Sequence, residues 1–154
     1  MTRQRLLPLV QRIHFDGTDN GIRVKANRDR GADVSHIVFR DIDMKNVKNA
    51  LIISEYYPKI LPTGDVAPAP VTRLTPHFHD ITIENVTATG SKSAGAIVGL
   101  PEAPITGVLL HNVPLSADHG LTIGYAKVTG DDFTVKAAEG EAMIKGAGAK
   151  LMLR

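Results

Sequence analysis

Short bursts of alternating apolar and polar residues recur along this chain: Ile37–Ile42, Ile81–Val86, Val108–Val113 and Phe133–Ala138. Period-two alternation is the signature of strands that bury one face. Each burst follows turn-like residues, namely Ser35-His36, His79-Asp80, Thr106-Gly107 and Gly130-Asp131-Asp132. The bursts start at 37, 81, 108 and 133, so the steps are 44, 27 and 25 residues. The long first step contains residues 58–76, which hold five of the nine prolines; without those 19 residues it is also 25.

A second apolar segment lies between the bursts: Ala50–Ser54, Gly95–Gly99, Gly120–Gly124 and Glu141–Lys145, with an upstream copy at Gly21–Lys25. No stretch of ten or more residues carries a 3.6-residue apolar period, so helices are few. A period in the twenties with two or three short strands per unit is the mark of a solenoid. Propeller blades need about 40 residues, and the leucine framework of a leucine-rich repeat is missing. The pattern therefore predicts an all-β parallel β-helix of about five coils. It forms a single domain over residues 1–154, with a Pro-rich loop at 58–76. Asp41, Asn85 and Asn112 fall in the same slot of three successive repeats, which predicts a stacked polar ladder at a bend.

Composition narrows the function classes. With no cysteine, a disulfide scaffold, a thiolate metal site and a Cys nucleophile are excluded. No apolar run approaches the roughly 18 residues that span a bilayer, so no membrane partner is expected. The formal charge is +2, but residues 1–30 carry +4 and the remainder −2. Such a basic head is either a solvated end or a surface for a polyanion. The first ten residues do not form a secretory signal, because Pro8 interrupts a short apolar stretch. No Gly-rich phosphate loop, nucleophile elbow or His-Glu-x-x-His pattern occurs, so no cofactor and no nucleic-acid partner are expected.

The candidate chemistry centres on Arg23 and Lys25. Residues i and i+2 of a strand share a face, so these two cations point outward while Ile22 and Val24 pack inward. An Arg fork beside a Lys point charge suits carboxylates or phosphates. Arg28 and Arg30 either extend this patch or are loop charges. Tyr56 and Tyr57 serve either packing or as a sugar platform. His77, His79 and Asp80 lie in what reads as a Pro-flanked loop, with no third metal ligand at a telling spacing, so no metal site is expected. Asp118-His119 and Asp131-Asp132 read as turn residues entering strands.

The run Gly17-Thr18-Asp19-Asn20-Gly21-Ile22-Arg23-Val24-Lys25 resembles the segment carrying the Arg-Ile-Lys motif of glycoside hydrolase family 28, the polygalacturonases. Ile37–Met44, Ala50–Tyr57 with its Pro/Thr-rich loop, and His79–Thr87 resemble the coils that follow, so the likeness runs from about residue 12 to the end. It implies a right-handed, single-stranded parallel β-helix of the pectin-lyase-like type, acting on galacturonan by inverting hydrolysis. It also implies that Arg23 and Lys25 bind the substrate carboxylate and that Tyr57, or failing it Tyr56, contacts the sugar. The family's Asn-Thr-Asp, Asp-Asp and Gly-His-Gly motifs belong upstream of this segment. None of them occurs in the 22 residues before Arg23, so no catalytic residue is assigned. The chain is expected to be a C-terminal portion with little or no hydrolysis. The alternative is a non-catalytic assembly or carbohydrate-binding module, its open coil end capped by residues 1–15 or by a second copy in a homo-oligomer. The family is typically exported.

Overall fold

A computed structural model describes residues 7–154, which form nine strands and no helix. They are β1 (Leu9–Asp16), β2 (Asn20–Lys25), β3 (Asp33–Lys45), β4 (Asn49–Ser54), β5 (His77–Val98), β6 (Ile105–Gly124), β7 (Ala126–Ala137), β8 (Met143–Lys145) and β9 (Ala149–Leu153). Every ladder between these strands is parallel. The chain winds as a parallel β-helix of five turns, with β9 starting a sixth. One ladder runs β1-β3-β5-β6-β7-β9, and a second runs β2-β4-β5-β6-β8. β5 and β6 belong to both because each bends round a corner without a break.

Stacking puts like side chains above one another. Phe15, Met44, Ala88, Leu115 and Val135 form one inward column. Ile37, Ile81, Val108, Val128 and Leu151 form a second. On the second ladder, Val24, Ile53, Ile97 and Ile123 stack in the same way. Met44, Ile81, Ile83, Ile97 and Leu110 are fully buried. An aliphatic core of this kind follows from a sequence with 5% aromatics and no tryptophan. Burial of such side chains, at roughly 1.5–3 kcal/mol each, drives the coils together.

The corner in the first ladder is a polar column. Arg12, Asp41, Asn85, Asn112 and Asp132 all have left-handed backbones, with φ between 52° and 56°. The Asn112 amide donates to Asn85 Oδ1 at 2.9 Å, and the Asn85 amide reaches Asp41 Oδ1 at 3.4 Å. Asn and Asp tolerate this backbone, and their side chains bond from rung to rung. The expected ladder is present, and longer than expected.

The fourth repeat departs from the expected spacing. Val108 pairs with Val128 rather than Phe133, and Phe133 pairs with Val113. The step is therefore 20 residues, and Asp132 drops into the corner slot. The cause is the turn between coils: Tyr125 alone joins β6 to β7, whereas residues 55–76 join β4 to β5. A second correction concerns His77 and His79. Both lie in the opening residues of β5, paired with Asp33 and Ser35 of β3, and not in the loop. Of the segment expected to cap the stack, residues 9–16 form the first parallel rung as β1. Residues 1–6 lie outside the described residues.

Candidate functional site

β2 alternates as its sequence demands. Ile22 and Val24 are buried, and Arg23 and Lys25 are exposed on the outer face of the second ladder. Ile52 and Ala96 stand in the same outward column as Arg23, yet both are only 2% exposed. The 55–76 connection passes over that face, anchored where Ser54 Oγ donates to the Ile60 carbonyl at 2.7 Å. Arg23 and Lys25 are left at the uncovered margin of the sheet.

Tyr57 completes the group. Its backbone N–H donates to the Ala26 carbonyl at 2.9 Å, which fixes the chain beside the end of β2. Lys25 Nζ lies 3.8 Å from the centre of the Tyr57 ring, and the Arg23 guanidinium carbon lies 5.9 Å from it. A cation held over a ring face is favourable by about 0.5–1 kcal/mol at an exposed site, and the ring also restricts both flexible stems. Among the described residues, neither Arg23 nor Lys25 makes an ion pair within 4.0 Å. Their charge is available to an incoming anion. Lys25, Tyr57 and Arg30 border an open depression of about 290 Å³, floored by Ala26 and Ala32.

The other candidates are placed elsewhere. Tyr56 donates its hydroxyl to the Gly99 carbonyl at 2.7 Å, and burial, helped by the nearby Glu55, pushes that hydroxyl up to about 12. Arg28 forks onto the Glu102 carboxylate and donates to the Ala67 carbonyl at 3.1 Å, so it pins the Pro-rich loop and does not extend the cationic patch. Burial works to raise the Glu102 carboxyl, but the Arg28 fork and the backbone N–H groups of Glu102 and Ala69 together outweigh it and hold the group below the usual carboxylate range. The Asp131 carboxylate accepts from His111 Nδ1 at 2.9 Å on the first ladder, remote in topology from β2. His119 Nε2 lies 3.9 Å from Glu139.

One group escaped the sequence reading, and of a second it singled out His79 and Asp80 but missed Asp33 and His36. Glu55 follows β4 and is 1% exposed, its Oε2 accepting from the Leu100 N–H at 3.2 Å and its Oε1 without a partner. Burial pushes its carboxyl up to about 8 against the pull of the Leu100 and Phe78 N–H groups. Nothing in a lone glutamate beside Tyr56-Tyr57 marks it as buried. The second is a cluster in which His79 contacts Asp80 through Nδ1 at 2.7 Å and Asp33 through Nε2 at 3.0 Å, with His36 edge-on to its ring. These residues are 33, 36, 79 and 80 in sequence, and only the β3–β5 register brings them together.

Two exposed cations backed by an aromatic ring thus lie together on one face of a parallel β-helix. The model of the family described as glycosyl hydrolases family 28 matches residues 9–130, and the chain belongs to that family. It is similar to a polygalacturonase of Medicago sativa, 34% identical over 110 residues, covering 69% of this chain and 25% of that protein. A Ralstonia solanacearum polygalacturonase is 34% identical over 77 residues, 47% of this chain and 14% of that protein. A Juniperus ashei polygalacturonase is 26% identical over 117 residues, 72% of this chain and 22% of that protein. The chain thus spans a quarter or less of the length of these relatives. No solved structure gives a significant match.

Proposed function

We propose that this chain supplies the carboxylate-binding part of a polygalacturonase-type site, with galacturonan as the ligand. The observation that carries the reading is the convergence of Arg23, Lys25 and Tyr57, with no carboxylate within 4.0 Å of either cation among the described residues. Arg23 provides a planar fork for a uronate carboxylate, Lys25 adds a point charge, and Tyr57 offers a ring edge to the sugar. Arg30, across the same depression, faces the neighbouring region of an extended acidic chain. Inverting hydrolysis needs two carboxyl groups roughly 6.5–9.5 Å apart on either side of the scissile bond. The family motifs that provide them belong upstream of Arg23 and none occurs in the 22 residues before it, while Asp131-Asp132 lies downstream on another coil, so the chain by itself is proposed to bind without turnover.

The test is retention of the chain on polygalacturonate together with a reducing-sugar assay. Retention without release of sugar ends is expected, and it should weaken as salt rises. Arg23→Ala and Lys25→Ala should each lower affinity about 10- to 100-fold, the size of one lost charge-assisted hydrogen bond. Lys127→Ala, exposed on β7, should leave it unchanged. Retention that is indifferent to Arg23→Ala and Lys25→Ala would contradict the assignment, and clear turnover would overturn the binding-only reading.

A second reading, self-association, is favoured by one feature: β9 pairs only with β7, and Met152 and Leu153 on it are 56% and 59% exposed. Light scattering across a concentration series decides it. A mass that stays at one chain at every concentration rejects self-association.

A further inference from the structure

We propose that His36, His79 and Asp80 form a binding site for a borderline divalent transition ion such as Zn²⁺, bridging two rungs of the β-helix. This goes beyond the galacturonan reading and does not depend on it. One donor atom on each of the three residues lies within 4.8 Å of the other two, and theirs is the one such group among the described residues. The specific contacts are His79 Nδ1 to Asp80 Oδ2 at 2.7 Å and His36 Nε2 to Asp80 Oδ2 at 4.0 Å. Tetrahedral zinc with bonds near 2.0–2.2 Å places its ligands roughly 3.3–3.5 Å apart. Small rotations of partly exposed side chains reach that arrangement.

Two imidazoles and a carboxylate are a donor set that selects zinc, nickel or cobalt over calcium or magnesium. The surroundings support it. Asp33 holds the far nitrogen, His79 Nε2, at 3.0 Å, which is the carboxylate–histidine arrangement that orients a metal-ligating ring. In the next rung the slot aligned with Asp80 is Gly107, with φ +65°, and a side chain there would press on the Asp80 carboxylate. That glycine leaves the approach open. His14–Asp43 and His111–Asp131 pair one imidazole with one carboxylate and lack the second ring, which sets the cluster apart. On binding, the proton shared between His79 Nδ1 and Asp80 leaves to solvent, and the metal takes its place.

Titration of the tag-free full chain with ZnCl₂ by calorimetry, with Co²⁺ absorption as a second probe, tests the site. One ion per chain is expected, with tetrahedral-type Co²⁺ bands. His36→Ala and His79→Ala should each weaken binding at least tenfold. Asp33→Asn should weaken it about tenfold by loosening the His79 ring. His77→Ala, two residues away and outside the cluster, should change nothing. Asp33 and His36 are exposed and His79 is half-buried, so the variants should stay folded, which circular dichroism checks. Absence of stoichiometric binding to the folded wild type would overturn the proposal. So would binding that survives His36→Ala and His79→Ala together, or that is lost with His77→Ala.

Discussion

Replacing Gly95 by alanine is expected to destabilise the chain by at least ~3 kcal/mol and to unfold much of it at 37 °C. Gly95 lies in the second ladder between Leu51 and Leu121. Its φ is +116°, a conformation closed to side chains, and an added Cβ would sit inside the Leu51 carbonyl group. The obstacle is backbone, which has no rotamer to move into. Relief requires parting the second and third coils, where Leu51, Ile53 and Ile97 are fully buried. Gly140→Ala is the matched control. Its φ is +73° and nothing lies within 4 Å, so only the backbone penalty of roughly 1–2 kcal/mol applies. Urea unfolding followed by circular dichroism compares the two variants. A Gly95→Ala midpoint close to that of Gly140→Ala would mean that the coils do not stack in this register.

The second large effect comes from Glu55. Its carboxyl is pushed up to about 8 from an ordinary value of about 4.5, because burial disfavours the charged form. A raised native pKa means that the native state binds the proton more tightly than the unfolded state. Stability from Glu55 is therefore fully present below about pH 4.5 and is lost as pH rises towards 8. Three or so pH units of linkage correspond to something on the order of 3–5 kcal/mol. Glu55→Gln copies the neutral carboxyl and still accepts from the Leu100 N–H. The variant should match the wild type near pH 4.5 and exceed it increasingly up to pH 8–9. Urea midpoints at pH 5, 7 and 9 measure this. Parallel decline of the two proteins across that range would place the pH dependence on other groups.

Much of this molecule was legible because a β-helix repeats its demands. Each coil must bury one face of each strand, so Ile37, Ile81 and Val108 announce the same inward column. The corner slot needs a left-handed backbone and a short polar side chain, so Asp41, Asn85 and Asn112 mark the bend. The misread fourth repeat shows the limit. Alternation alone does not distinguish the Val128 strand from the Phe133 strand, because both lie in β7 on either side of the Asp132 corner. Only the one-residue turn at Tyr125 sets the register. The candidate site was half legible. Arg23 and Lys25 follow from i, i+2 spacing on one strand, whereas the partner of each remaining group is fixed by stacking. Arg28 finds Glu102 across 74 positions, and His79 finds Asp33 across 46. Such pairings leave no local pattern for a sequence reader to follow.

The central claim is that Arg23 and Lys25 recognise a uronate carboxylate. It is tested most directly by calorimetric titration of the wild-type chain with trigalacturonate and with its fully methyl-esterified form. Esterification removes the negative charges and keeps the sugar rings. The account predicts that the acid binds at least tenfold more tightly than the ester, and that Lys25→Ala narrows this ratio by lowering the affinity of the acid alone. Equal affinity for the two ligands, or a preference for the ester, would contradict it.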